Sequence, residues 1–256
     1  MARMEPTRRD FRKEKPASEQ VFRAYAGLYR YDKADLDAKV QEMGTSPYWR
    51  HEQVTFTAGY GGERMAVHVF LPRNAAPPFQ AVVYFPGSDV ADRFEPSWID
   101  SYLDFLPKTG RALIFPIYKG IYERKDGLSY SGKPPGIWRD HMIMWSKDLG
   151  RTLDYLDTRS DIDSKSVAYF GFSVGAAQAP VFLAIDGRFK TAIIRSGGFS
   201  PINRLPECDP LNFIAHVRLP VLMLSDRYDS FYAAETSQVL FFRLLGTGDQ
   251  DKDRVV

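Results

Sequence analysis

Five residues, Gly171-Phe172-Ser173-Val174-Gly175, constrain this chain more than any others. They follow the apolar run Val167-Ala168-Tyr169-Phe170, which reads as a buried strand, and lead into a helix-forming segment from Ala176. A chain that turns from strand to helix within about three residues holds the residue at the bend in a strained conformation and lifts its side chain clear. Gly171 and Gly175 lack the Cβ atoms that would collide with the serine and the neighbouring strand. The Ser173 hydroxyl is therefore expected at the tip of a sheet, at a nucleophile elbow. The amide of Val174, at the start of the new helix, would point where a negative oxygen develops. The plainer reading is a small-residue strand–helix turn; the strand and helix that flank the motif favour the elbow.

The surrounding pattern supplies a sheet for that elbow. Gln53–Thr57 and Arg64–Leu71 alternate in hydropathy around Tyr60-Gly61-Gly62-Glu63, which predicts an antiparallel hairpin with His68 half-exposed on its outer face. Continuous apolar runs at 81–85, 112–117, 166–170, 191–194 and 221–224 read as strands buried on both faces. Helical periodicity appears at 96–108, 138–158, after Ser173, and at 235–245. Strands alternating with helices predict a mostly parallel, doubly wound α/β sheet with an antiparallel hairpin at its start. Before it, residues 1–16 read as a flexible basic tail. Residues 17–50 read as a helical segment, with helices from Ser18 to about Tyr31 and from about Asp35 to Met43. Residues 51–256 form the main domain. The long polar loop 118–136 offers Tyr118, Tyr122 and Tyr130 as pocket-lining residues, and the irregular stretch 199–218 suggests a small lid.

Composition excludes several classes. A formal net charge of +2 gives no overall basis for nucleic-acid binding, and no stretch approaches the roughly 20 apolar residues of a membrane helix. With one cysteine, Cys208, no internal disulfide can form, which suits a cytoplasmic location. No metal-ligand spacing or phosphate-binding loop occurs, so neither a metal nor a cofactor is expected.

A serine becomes a nucleophile only when a base takes its proton. In this architecture an acid follows a later strand and a histidine follows the acid. Asp229, five residues past the strand ending at Leu224, is the chosen acid, with Asp226 as the alternative. The second oxyanion donor is assigned to the backbone of Ser88, after Pro86-Gly87, with Asp89 as runner-up. No histidine follows His216: His51, His68, His141 and His216 all precede Asp229, and His141 reads as structural. Arg254-Val255-Val256 reads as the opening of one more strand, so the C-terminal strand and helix of the fold are expected to be missing.

Five further stretches, together with the elbow, carry a resemblance. They are Pro47-Tyr48-Trp49-Arg50, Tyr60-Gly61-Gly62-Glu63-Arg64, Tyr84-Phe85-Pro86-Gly87-Ser88, the run Trp145-Ser146-Lys147-Asp148-Leu149-Gly150-Arg151, and Arg227-Tyr228-Asp229. From about Ala17 onward the chain resembles the α/β-hydrolase-like domain at the C-terminus of certain bacterial serine/threonine protein kinases. That group is similar to dienelactone hydrolases and acetyl xylan esterases. The resemblance implies Ser173 as nucleophile, Asp229 as triad acid and a histidine beyond Val256. It departs from the family in having Phe172 and Val174 around the serine and Ser225-Asp226 before the acid. The expectation is a carboxylic-ester hydrolase lacking its triad histidine, acting on a small ester or acyl substrate. The alternative is a non-catalytic binding module, a fragment of a kinase-linked protein. A shortened sheet would expose an edge, which favours a homodimer.

Overall fold

A computed structural model describes residues 9–88, 95, 97, 99–128 and 134–256. Nine strands form one sheet in the order β1-β2-β3-β5-β4-β6-β7-β8-β9. The first three, β1 (Lys39–Thr45), β2 (Trp49–Thr57) and β3 (Arg64–Pro72), pair antiparallel, and β3 is antiparallel to β5 (Ala112–Pro116). From there the sheet is parallel through β4 (Phe79–Phe85), β6 (Ile162–Phe172), β7 (Thr191–Arg195), β8 (Val221–Leu224) and β9 (Lys252–Val255). Every residue of β5 is buried, as covering on both faces requires. Helix α3 (Pro135–Leu156) packs on β5 and β6, α4 (Val174–Ile185) on β6 and β7, and α2 (Phe105–Lys108) on β3 and β5. Helix α5 (Val239–Leu244) follows a π-helical turn at Ala234–Gln238. Among the described residues no helix is long and apolar enough to cross a membrane.

Several expectations change. Among the described residues before the sheet, only α1 (Glu19–Gly27), capped by Ser18 accepting from the Val21 amide, is an α-helix. The helix expected at Asp35–Met43 is strand β1, so residues 17–50 are not a helical segment. Cross-strand pairing with β2 decides its conformation, and a bulge between Glu42 and Gly44 distorts this fully exposed edge. The strand expected to be missing is present: β9 starts at Lys252 and pairs with β8 along its length.

Within the expected tail, Arg9 and Phe11 are packed rather than free, while Arg12, Lys13 and Lys15 are exposed. Phe11 is buried against Phe199, ring centroids 4.7 Å apart, and the Arg9 guanidinium lies 2.7 Å from Asp209. The loop after β5 turns inward as well. Tyr118 and Tyr122 are core residues, Tyr118 stacking on Phe85 and donating to the Tyr84 carbonyl at 3.0 Å, so neither lines a pocket. Tyr130 lies outside the described residues.

Candidate active site

Strand β6 ends at Phe172, and Ser173 turns the chain into α4 with φ +49° and ψ −105°. A side chain in that region costs about 1–3 kcal/mol, which the surrounding hydrogen bonds must hold in place. The Ser173 amide donates to the Arg195 carbonyl of β7 at 3.0 Å, and the Gly175 amide donates to the Pro86 carbonyl after β4 at 3.1 Å. The buried Tyr169 hydroxyl donates to the Gly175 carbonyl at 2.7 Å. The bend leaves no room for side chains beside it. A Cβ on Gly175 would lie 2.4 Å from the Phe85 carbonyl oxygen, and one on Gly171 would lie 2.7 Å from the Gly175 backbone. The neighbouring strand is thus close, as the motif implies.

A cavity of about 440 Å³ opens at this end of the sheet. It is lined by Ser173 and Val174 of the elbow, Ser88 after β4, and Asp229 after β8. The four strands whose ends face it, β4, β6, β7 and β8, are consecutive neighbours in the sheet. Gly87 lies against the elbow: a Cβ there would stand 3.2 Å from that of Ser173. The Val174 amide belongs to the first turn of α4, where no intrahelical acceptor exists.

The two acids after β8 differ. One oxygen of Asp229 accepts from the Phe231 and Tyr232 amides, both at 2.8 Å, which fixes the carboxylate at the cavity. Asp226 is exposed and accepts from the Ser196 hydroxyl at 2.5 Å. Asp89, the other oxyanion candidate, lies outside the described residues.

None of the four histidines lines the cavity. His51 and His68 share a hydrogen bond of 2.8 Å between their rings and are buried, His68 included. The expected half-exposure fails because β3 is covered on both faces here, every residue from Val67 to Pro72 being buried. Both ring nitrogens of His141 face acceptors, the Ile137 carbonyl at 2.8 Å and Asp126 at 2.9 Å. His216 stacks on Phe22 of α1 with centroids 3.5 Å apart. The Cys208 thiol is buried, which pushes its pKa up to about 12, so it stays a neutral thiol. Among the described residues no cluster of three or more His, Cys, Asp or Glu side chains is placed to hold a metal.

Among the cavity residues that sequence reasoning did not find are Trp138 at the start of α3, Gln178 on α4, and Arg204 and Phe231 on the loops. Gln178 follows the elbow by five positions, a spacing readable once α4 is granted. Arg204 lies in an irregular stretch with no periodic signal.

No family model matches this chain, and no curated protein matches it by sequence. Solved structures do. The chain is 16% identical to an acetyl xylan esterase from Paenibacillus sp. R4, covering 94% of this chain and 89% of that one, with a TM-score of 0.71. Acetyl xylan esterase 1 from Thermoanaerobacterium sp. JW/SL YS485 superposes with a TM-score of 0.72 at 14% identity, covering 94% and 87%. A Klebsiella pneumoniae protein assigned as a dienelactone hydrolase gives 0.60 at 17%, covering 86% and 85%. With sheet order, elbow and these superpositions together, the chain has the α/β-hydrolase fold.

Proposed function

We propose that the chain is a serine hydrolase domain for carboxylic esters, with Ser173 as nucleophile. The observation that carries this reading is the strained Ser173 at the rim of a cavity that also holds Asp229. Ser173 Oγ would attack the acyl carbon while a base takes its proton, and the alcohol would leave with a proton returned by that base. The Val174 and Ser88 amides would hold the oxyanion. Asp229 would orient and stabilise the imidazolium. It suits that role better than Asp226, whose carboxylate is engaged by Ser196. The esterase names among the fold's neighbours support an ester substrate, and a kinase link rests on the sequence resemblance alone.

The imidazole is absent from the cavity, so the 256-residue chain should turn over slowly, several orders of magnitude below a complete triad. Free imidazole can substitute for the missing group. The test is to incubate the chain with p-nitrophenyl acetate and follow acetylation by mass spectrometry. Slow acetylation of Ser173 is expected, accelerated by added imidazole and absent in Ser173→Ala. Acetylation that ignores the Ser173→Ala change removes the serine from the mechanism. The lack of a lining histidine favours a second reading, a non-catalytic binding module. That reading is supported if imidazole produces no acyl-enzyme while ligands still bind.

A further inference from the structure

Two polar side chains on the wall of the Ser173 cavity have hydrogen-bonding capacity that the protein leaves unused. Gln178 on α4 is 2% exposed, and its Oε1 has no partner. Arg204, between β7 and β8, lays its guanidinium 3.6 Å from the centroid of the Trp138 ring, and its buried Nε has no partner. Both residues line the main cavity and also the small chamber beyond Ser200 and Ile202.

The acids near Arg204 are otherwise occupied. Asp209 is bound by Arg9 at 2.7 Å, and the Cys208 thiol is neutral. Asp229 is tied to two backbone amides. Burial lowers the Arg204 pKa to about 10, so the group is still a cation at neutral pH. Taking a guanidinium out of water without a counter-ion is unfavourable, and stacking on an aromatic face offsets only part of the cost. Phe172, Ile202 and Phe231 make the remaining wall largely apolar, which strengthens any charge pairing there. An arginine fork matches a carboxylate, and a glutamine amide turned by half a revolution presents an N–H to the second oxygen.

We propose that Arg204 and Gln178 form an anion-recognition subsite beside Ser173, so that the cavity prefers esters carrying a carboxylate over neutral ones. The ester part of this rests on the hydrolase reading; recognition of the anion does not need turnover, so binding tests it separately. The probes are monomethyl succinate, with the carboxylate on the acyl side, and acetoxyacetate, with it on the alcohol side. Dimethyl succinate is the neutral control.

Calorimetric titration into the full chain should show at least one anionic probe binding roughly tenfold or more tightly than the neutral diester, with the preferred probe giving the side. Arg204→Gln should remove that preference, and Gln178→Leu should reduce it. Ser173→Ala should keep it. Equal affinity of all three probes for the unaltered chain overturns the proposal without any variant. So does a preference that survives in a folded Arg204→Gln protein. A retained charge preference with no acylation of Ser173 would instead sink the hydrolase reading and leave the subsite standing.

Discussion

Two arginines are drawn out of water in this molecule, and the protein treats them in opposite ways. Arg124, in the loop after β5, donates to Asp148 at 2.7 Å, to the Tyr60 hydroxyl at 2.6 Å and to the Ile117 carbonyl at 2.8 Å. Burial works to lower its pKa, and Asp148 and Tyr60 more than reverse that. Asp148 is fully buried on α3 and also accepts from Tyr60 at 2.9 Å and from the Lys119 amide at 3.0 Å. This cluster fastens the loop after β5 and the β2–β3 turn to α3. Arg204 has a ring to lie on and, among the described residues, no ion pair; the nearby Asp209 is held by Arg9. A polar group with every partner supplied belongs to the scaffold; one left unsatisfied in a cavity points to a ligand.

The sharpest way to break that contrast is at the satisfied cluster. Asp148→Ala would leave the buried Arg124 with only the more distant Glu63, at 3.5 Å, as a counter-ion, and breaking a buried pair costs about 3–5 kcal/mol. For a chain of this size that corresponds to roughly 10 °C or more in melting temperature. A melting curve moved by only a degree or two would mean that Arg124 does not need its acid and that Arg204 is not exceptional.

The histidine pair belongs on the scaffold side of the comparison, and pH tests it. Burial holds His51 down to about 4 and His68 to about 3, where the unfolded chain titrates near 6.5. Protonating both would set two N–H groups against each other across the 2.8 Å contact. Folded pKa values below the unfolded one mean that stability is complete above pH 6.5 and drains away as pH falls toward 3–4. Between pH 6.5 and 5, before most carboxylates titrate, the pair should account for roughly 2–4 kcal/mol. Urea titrations across that range measure it. A double His51→Gln, His68→Gln variant should show a much flatter profile; an unchanged slope would assign the acid sensitivity elsewhere.

How much of this was legible follows from the same distinction. The central strands were readable because β4, β5, β6, β7 and β8 carry runs of apolar side chains that only a covered sheet accommodates. The bend at Ser173 was readable because a tight turn demands glycines at fixed spacing, and the place of Asp229 at the same cavity because it closely follows the end of β8. Strand β1 was not, since its seven residues are all exposed and its conformation comes from β2. Phe11 was hidden among basic residues that suggest a solvated tail, although Arg9 finds Asp209 about two hundred positions away. His68 alternates as an outward strand residue and is buried because the assembled fold covers both faces of β3 from Val67 to Pro72. Arg204 carried no local signal at all: the absence of a partner is a property of the assembled cavity.

That absence yields the smallest expected effect and the most discriminating one. Arg204→Gln removes a charge, yet it breaks no ion pair among the described residues, and it removes a partly desolvated cation that lies on the Trp138 face. The lost cation–π contact is worth about 0.5–2 kcal/mol, and relief of the unpaired charge opposes it. The net change should be within about 1 kcal/mol, or about 2–4 °C in melting temperature. Set beside Asp148→Ala, that small shift would separate a charge kept for a ligand from one kept for the fold. A fall as large as that of Asp148→Ala would make Arg204 part of the scaffold, and the loss of anion binding in the same variant would then report unfolding of the cavity wall rather than recognition.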